Sequence, residues 1–218
     1  MRTSQQSPTH HPSEELLIGY AAGTTSEPEA LAISTHLTFC AACRHHLSAA
    51  EAMGGYLLEQ GDAAPLQERA LQDVLARLDD DDEEPVVPAT PVPGLPTALS
   101  GYAADALRSR GWRWVSPGIQ QLPLAARGSV KARLMRFQPG TVLPVHTHRG
   151  QELTVVLSGS YSDSLGQFAC GDMAELDGST LHQPKVDSDV ECIALIVTDS
   201  RLKFPGFLAR LAQTWIGI

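Results

Sequence analysis

Between residues 13 and 79 apolar positions recur at helical spacing, and beyond residue 110 they gather into short runs of strand character. Ser13, followed by Glu14 and Glu15, predicts a helix start, and EELLIGYAAG stops at Gly23. Ser26 and Glu29 make a capping-box pattern around Pro28, so a second helix is expected through EALAISTHLTF. Its continuation, AACRHHLSAAEAM, is expected to end near Gly54 and Gly55. A further helix over 66–79 places Leu71, Val74, Leu75 and Leu78 on one stripe.

Residues 79–84 read DDDDEE, and 85–96 contain five prolines. Like charges repel, and proline removes amide donors and stiffens the chain, so this stretch reads as a linker. After it, TALSGYAADALRSRGW predicts a short helix. The runs WRWV, GIQQLPL, VKARLMRF, LPVHTH, ELTVVLSGSY, GQFACGDMAEL and VECIALIVTD, with Gly- and Pro-rich separators, predict an all-β sandwich or barrel. CIALIV is continuously apolar, as a strand covered on both faces would be. The last run, FPGFLARLAQTWIGI, reads as an amphipathic helix packed on the barrel or on a partner. The expected fold class is thus multidomain α + β: a small all-α unit over 1–80, a linker over 81–97 and an all-β unit over 98–218.

Composition narrows the class. Of 218 residues 43% are apolar, enough for a real core, and no stretch is long and apolar enough for a membrane span. The N-terminus has no apolar signal region. Four cysteines in this length make no disulfide framework, and a close pair of them suits metal or redox work in the cytosol. Residues 1–84 carry 4 basic and 15 acidic side chains, whereas 85–218 carry 12 and 10. The acidic half would repel nucleic-acid phosphates and suits a basic protein surface instead.

Two groups of residues carry candidate chemistry. His36, Cys40 and Cys43 fall on one stripe of a helix or at a tight helix junction. Two thiolates and an imidazole need one more donor to close a tetrahedral zinc site. His11, before Pro12, is the first choice, with His10, and then His45 or His46, as alternatives. A unit of this size has a thin core that a structural metal would help hold. A redox dithiol would need a βαβ context, and the surroundings here are helical. In the second group, Gly140, His146, His148, Glu152 and Gly159 stand at fixed intervals. Strand periodicity points His146 and His148 the same way, and Glu152 follows a turn at Arg149-Gly150, so two imidazoles and a carboxylate converge. His182 is a fourth candidate downstream. Trp112, Trp114 and Tyr161 are candidate pocket or core aromatics, and Cys170 and Cys192 lie on expected strands.

Gly140–Gly159 resembles the first cupin motif, and Gly171–His182 resembles the second, with Asp177, Ser179 and Val186 departing from the usual Pro, Gly and Asn. The resemblance implies a double-sheet jelly-roll barrel holding zinc or another divalent transition metal through His146, His148, Glu152 and His182. The helix with His36-x3-Cys40-x2-Cys43 resembles the zinc-binding anti-sigma domain. The order of both modules across almost the whole chain, and the stretch ECIALIVTDSRLKFPGFLARL, resemble the ChrR family of anti-sigma factors. That resemblance implies a structural zinc in the front unit and a cytoplasmic extracytoplasmic-function sigma factor as partner. It also implies that the cupin senses singlet oxygen or organic hydroperoxides. A change in linker and helix exposure that weakens the sigma contact or admits a protease is the expected response. No direct nucleic-acid or membrane contact is expected. No catalytic residue is assigned, since no further acid–base pair stands beside the motif. The alternatives are a cupin dioxygenase or isomerase with an accessory zinc unit and, below it, a metal-storage or metal-sensing protein.

Overall fold

The computed structural model describes residues 7–79, 91–200 and 202–203. The acidic run beyond Asp79, the first prolines of the expected linker and the expected C-terminal helix lie outside these residues.

Helix α1 spans Glu14–Ala21, and its N-cap Ser13 accepts a hydrogen bond from the Leu16 amide at 3.3 Å. Helix α2 spans Glu27–Phe39, begun by Pro28 in its first turn and by the Glu29 carboxylate, which accepts from the Ser26 amide at 2.7 Å. Helix α3 spans Ala41–Glu59. The expected stop at Gly54-Gly55 does not occur: α3 runs through both glycines. Glycine in a helix interior costs about 1 kcal/mol relative to alanine but forbids nothing sterically. Helix α4 spans Ala70–Ala76 and closes in a 3-10 turn over Arg77–Asp79, shorter than the stripe predicts. Helix α5 spans Thr97–Ser109 and buries Leu99, Ala103 and Ala106 on one face.

The strands are β1 (Arg113–Ser116), β2 (Ile119–Pro123), β3 (Lys131–Phe137), β4 (Thr147–His148), β5 (Glu152–Ser158), β6 (Ser160–Asp163), β7 (Gly166–Ala169), β8 (Met173–Leu176), β9 (Lys185–Val186), β10 (Cys192–Thr198) and β11 (Leu202–Lys203). They form an antiparallel sheet in the order β1-β2-β3-β10-β5-β8, faced by a sheet β7-β6-β9 and a pair β11-β4. A bridge between His146 and His182 ties the smaller elements together.

Period-two alternation divides the large sheet into two faces. Met135 and Phe137 of β3, Val156 of β5 and Cys192 of β10 point into the barrel, with Tyr161, Phe168 and Leu176. Leu134, Leu153, Val155, Leu195 and Val197 point outward, and they do not meet water. They share one buried cluster with Leu17, Leu31, Ile33 and Leu37 of the front helices and with Leu99 and Ala103 of α5. Helix α2 packs directly on β5 and β10, and α5 on α2 and β2. The continuous apolar runs of β5 and β10 follow, because both faces of each are covered. The helical unit therefore lies on the barrel as a second layer, although composition alone reads it as a bead on a linker.

Leu195 is fully buried at the centre of this layer. Leu195→Ala is expected to cost about 2–5 kcal/mol, the usual range for truncating a buried leucine. Because the cluster spans both units, thermal unfolding should lower the helical and the β signals together.

Candidate metal centres

The first centre sits where α2 meets α3. Cys40 leaves helical geometry (φ −104°, ψ 107°), ending one helix and capping the next, and its sulfur accepts from the Cys43 amide at 3.4 Å. The kink turns His36, Cys40 and Cys43 toward one point. His11 arrives from the extended arm before α1, its Nδ1 3.4 Å from both sulfurs. His36 places Nε2 3.3 Å from Cys43 Sγ, while its Nδ1–H donates to the Gly171 carbonyl at 2.8 Å. A carbonyl can only accept, so this bond fixes the tautomer and leaves the Nε2 lone pair facing the sulfurs. The donor atoms of His11, His36, Cys40 and Cys43 all lie within 4.8 Å of one another. Of the alternatives, His10 turns away onto Phe168, ring centroids 4.2 Å apart, and neither His45 nor His46 belongs to the group. Burial, with the neighbouring Cys40, pushes the Cys43 thiol up to about 12. Two thiolates confined together need a cation beside them, and a set of two sulfurs and two imidazoles suits zinc.

The second centre lies at the mouth of the barrel. His148 is on β4, and His146 and His182 face each other across their bridge. The Nε2 atoms converge: His146 to His182 at 3.0 Å, and His148 to His182 at 3.2 Å. Each Nδ1 is turned outward. That of His146 donates to the Pro144 carbonyl at 2.9 Å, and that of His182 meets the Asp163 carboxylate at 2.8 Å. That of His148 lies 3.5 Å from Glu152 Oε2. With the outer nitrogens protonated, three lone pairs point at a common centre, a donor set that fits a divalent transition metal. The group within 4.8 Å comprises the three imidazoles, and Glu152 stands beside it, accepting from Thr154 Oγ1 at 3.0 Å. Burial moves both kinds of group toward neutrality: His146 and His148 down to about 4, and Glu152 up to about 7.

Behind the imidazoles a cavity of about 70 Å³ is lined by Met135, Phe137, Tyr161, Cys192 and Ile196, with Arg133 and Glu152. Of the candidate aromatics, Tyr161 reaches this cavity and stacks on Phe168 at 4.9 Å. Trp112 instead lies under the Arg136 guanidinium at 4.3 Å, and Trp114 is exposed. Cys192 lines the cavity as a thiol pushed up to about 12 by burial, and Cys170 donates to the Leu157 carbonyl. Asp163 went unmarked in the sequence because SDSLG reads as a turn. It does serve the turn, accepting from the Leu165 amide at 2.8 Å, while its other oxygen holds His182.

A helical cluster of two cysteines and two histidines, laid on a cupin barrel with three converging imidazoles, defines a double-module metal-binding protein. Comparison agrees: a zinc-finger family model matches residues 13–44, and the ChrR cupin-like domain matches 103–200. Anti-sigma-E factor ChrR of Cereibacter sphaeroides is 37% identical over 209 residues, covering 96% of this chain and 98% of that protein. The crystal structure of Rhodobacter sphaeroides SigE in complex with the anti-sigma ChrR matches with a TM-score of 0.75 at 38% identity, covering 87% of this chain and 98% of that one. The chain belongs to the ChrR family of anti-sigma factors.

Asp163→Asn removes the charge that orients His182. It is expected to weaken metal binding at the barrel about 10–100-fold, read by competition with a chromophoric chelator. In metal-stripped protein, His146 and His148 stay neutral when folded down to about pH 4 but protonate near 6.5 when unfolded. Stability should therefore fall as pH drops from 6.5 toward 4. Glu152, raised to about 7, works in the opposite sense, adding stability as pH falls from about 7 to 4.5. Two imidazoles outweigh one carboxyl, so the net change is a loss, and His146→Gln should flatten it in denaturant titrations at stepped pH.

Proposed function

We propose that this protein is a cytoplasmic, non-enzymatic inhibitor of an extracytoplasmic-function sigma factor. In this reading zinc in the helical centre is structural, and the cupin, loaded with zinc or another divalent transition metal, is the sensor. Among the described residues no helix is long and apolar enough to cross a membrane. The observation that carries the proposal is an uncovered apolar surface. Met53, Tyr56, Leu57 and Leu58 at the end of α3, with Leu71, Val74, Leu75 and Leu78 of α4 and its turn, are exposed, Leu58 at 82%. Large apolar side chains left in water on two successive helices point to a covering partner. Glu51, Glu59, Asp62, Glu68 and Asp73, exposed along the same stretch of chain, would steer a basic partner. Near it, a groove between α1 and α3 is lined by Leu17, Ile18, Ala50 and Met53.

Four bound side chains leave zinc no open position, so the helical centre holds shape rather than reacts. Losing the metal removes folding free energy from the unit that presents the apolar surface. For the sensor, Met135 and Cys192 in the cavity wall bring oxidisable sulfur close to the imidazoles. Burial keeps Cys192 a thiol, which leaves the Met135 thioether as the more readily oxidised sulfur.

The test is co-expression with an extracytoplasmic-function sigma factor of the same organism. The wild-type chain is expected to co-purify with it. Cys40→Ser and Leu75→Glu should each reduce recovery at least tenfold, the first by unseating zinc, the second by placing charge on the apolar surface. Replacing His146, His148, Glu152 and His182 with Ala should leave recovery intact but abolish release under singlet oxygen. Recovery of the sigma factor equally well with Cys40→Ser and Leu75→Glu would overturn the proposal.

A further inference from the structure

The cupin reaches into the helical metal centre at two points. The first is the Gly171 carbonyl, which accepts from His36 Nδ1 at 2.8 Å. The second is Asp172, buried at 3% exposure in the turn before β8. Its Oδ1 accepts from the Thr9 amide at 2.6 Å and the His10 amide at 2.9 Å, and its Oδ2 accepts from the Ala169 amide at 2.8 Å. The Met173 amide then donates to the His10 carbonyl at 3.1 Å. The arm that delivers His11 is thus pinned to the barrel by three hydrogen bonds to its backbone, all within the two residues before that ligand, and by the Thr9 hydroxyl, which donates to Asp172 Oδ1 at 3.4 Å.

The approach is as close as backbone allows. Gly171 has φ +96°, and a Cβ there would meet Phe39 Cβ and Pro8 Cγ at 2.9 Å. A side chain at this position would push Phe39, one residue before Cys40, and the arm away together.

We infer that Gly171 and Asp172 of the cupin are positioning residues of the helical metal centre, so that docking of the two units and retention of the metal strengthen each other. This rests on the reading that His11, His36, Cys40 and Cys43 hold a metal. Two of those four donors, His11 and His36, are oriented by the barrel, and Cys40 and Cys43 are oriented by their own helix junction. Outer partners of ligating imidazoles fix ring direction and raise ligand basicity, and losing one costs about 10–100-fold in metal affinity. Coupling of binding free energies is reciprocal: whatever loosens the turn at 170–173 loosens the metal, and whatever removes the metal loosens the turn. A change inside the barrel then has a route to the front unit that bypasses the linker.

Cobalt(II) titrated into the metal-stripped full-length protein tests this. Thiolate-to-cobalt charge-transfer absorption reports the helical centre alone, since the barrel trio contains no sulfur, and the band is assigned by its loss in Cys43→Ser. Asp172→Ala is expected to weaken cobalt binding in that band about tenfold or more. Asp172→Asn, which keeps one acceptor oxygen for the arm, should fall between Ala and wild type. Affinities of both variants within twofold of wild type would overturn the inference while leaving the metal reading intact. Absence of the band in the wild-type protein would overturn both.

A second measurement keeps Asp172 unsubstituted. Cys43→Ser spares the barrel trio and is expected to speed hydrogen exchange at the Met173 amide at least fivefold. Unchanged exchange there would also count against the coupling.

Discussion

The outer faces of β5 and β10 are the constraint on which the molecule depends. A sheet that turned Leu153, Val155, Leu195 and Val197 to water would expose a broad apolar surface, and α2 covers it, with α5 packed beside α2 on β2. Fully burying one leucine or valine contributes roughly 1.5–3 kcal/mol, so these four alone exceed what any surface ion pair supplies. The covering layer fixes where α2 ends. That end places His36 over the turn at Gly171 and sets Cys40 at the junction with α3. The geometry of the helical metal centre is thus inherited from the packing of a helix on a sheet.

Electrostatics follows the same frame. Burial drives His36, His146 and His148 toward the neutral form that ligates, and holds Cys43 as a thiol until a cation arrives. Asp172 goes the other way. Burial alone would raise its pKa, but the amides of Ala169, His10 and Thr9 together hold it below the ordinary carboxylate value. It stays charged beneath the arm, which lets one side chain pin three amides at once.

Much of this was legible in the sequence. Helix starts at Ser13 and Ser26 were marked by capping chemistry, which acts over three residues and needs no tertiary context. The donor groups at His36, Cys40, Cys43 and at His146, His148 were marked by periodicity. His11 and His182 come from distant segments and were reached only through the chemistry of a closed site and the family resemblance. What escaped was set by packing. Gly54 and Gly55 gave a stop signal that the helix ignores, because a local preference of about 1 kcal/mol yields to neighbouring turns. Asp163 and Asp172 went unmarked: each holds a local turn with one oxygen, while the other acts across 19 and 162 positions. Nothing in a one-dimensional pattern marks such partners. The contact between the two units was hidden for the same reason, since a proline-rich linker reads as separation whichever surfaces it allows to meet.

Contiguity also bears on how a signal would travel. Glu152, beside the three imidazoles, pairs with Leu176 of β8, and the other end of β8 begins at Met173, next to Asp172 and Gly171. One short strand therefore joins the two metal centres. Such a path is not by itself a switch: both centres must bias an element with two discrete arrangements. The docked arm at residues 8–11 qualifies if the partner prefers one of its states. Carrying a population from 1:99 to 99:1 needs about 10⁴-fold differential affinity. A few hydrogen bonds at a turn fall well short of that. Loss of a structural metal, whose binding in small zinc units is worth about 10 kcal/mol or more, does not. A signal from the barrel would therefore gain its leverage by loosening metal in the front unit, with the turn at Gly171 and Asp172 as the point of purchase.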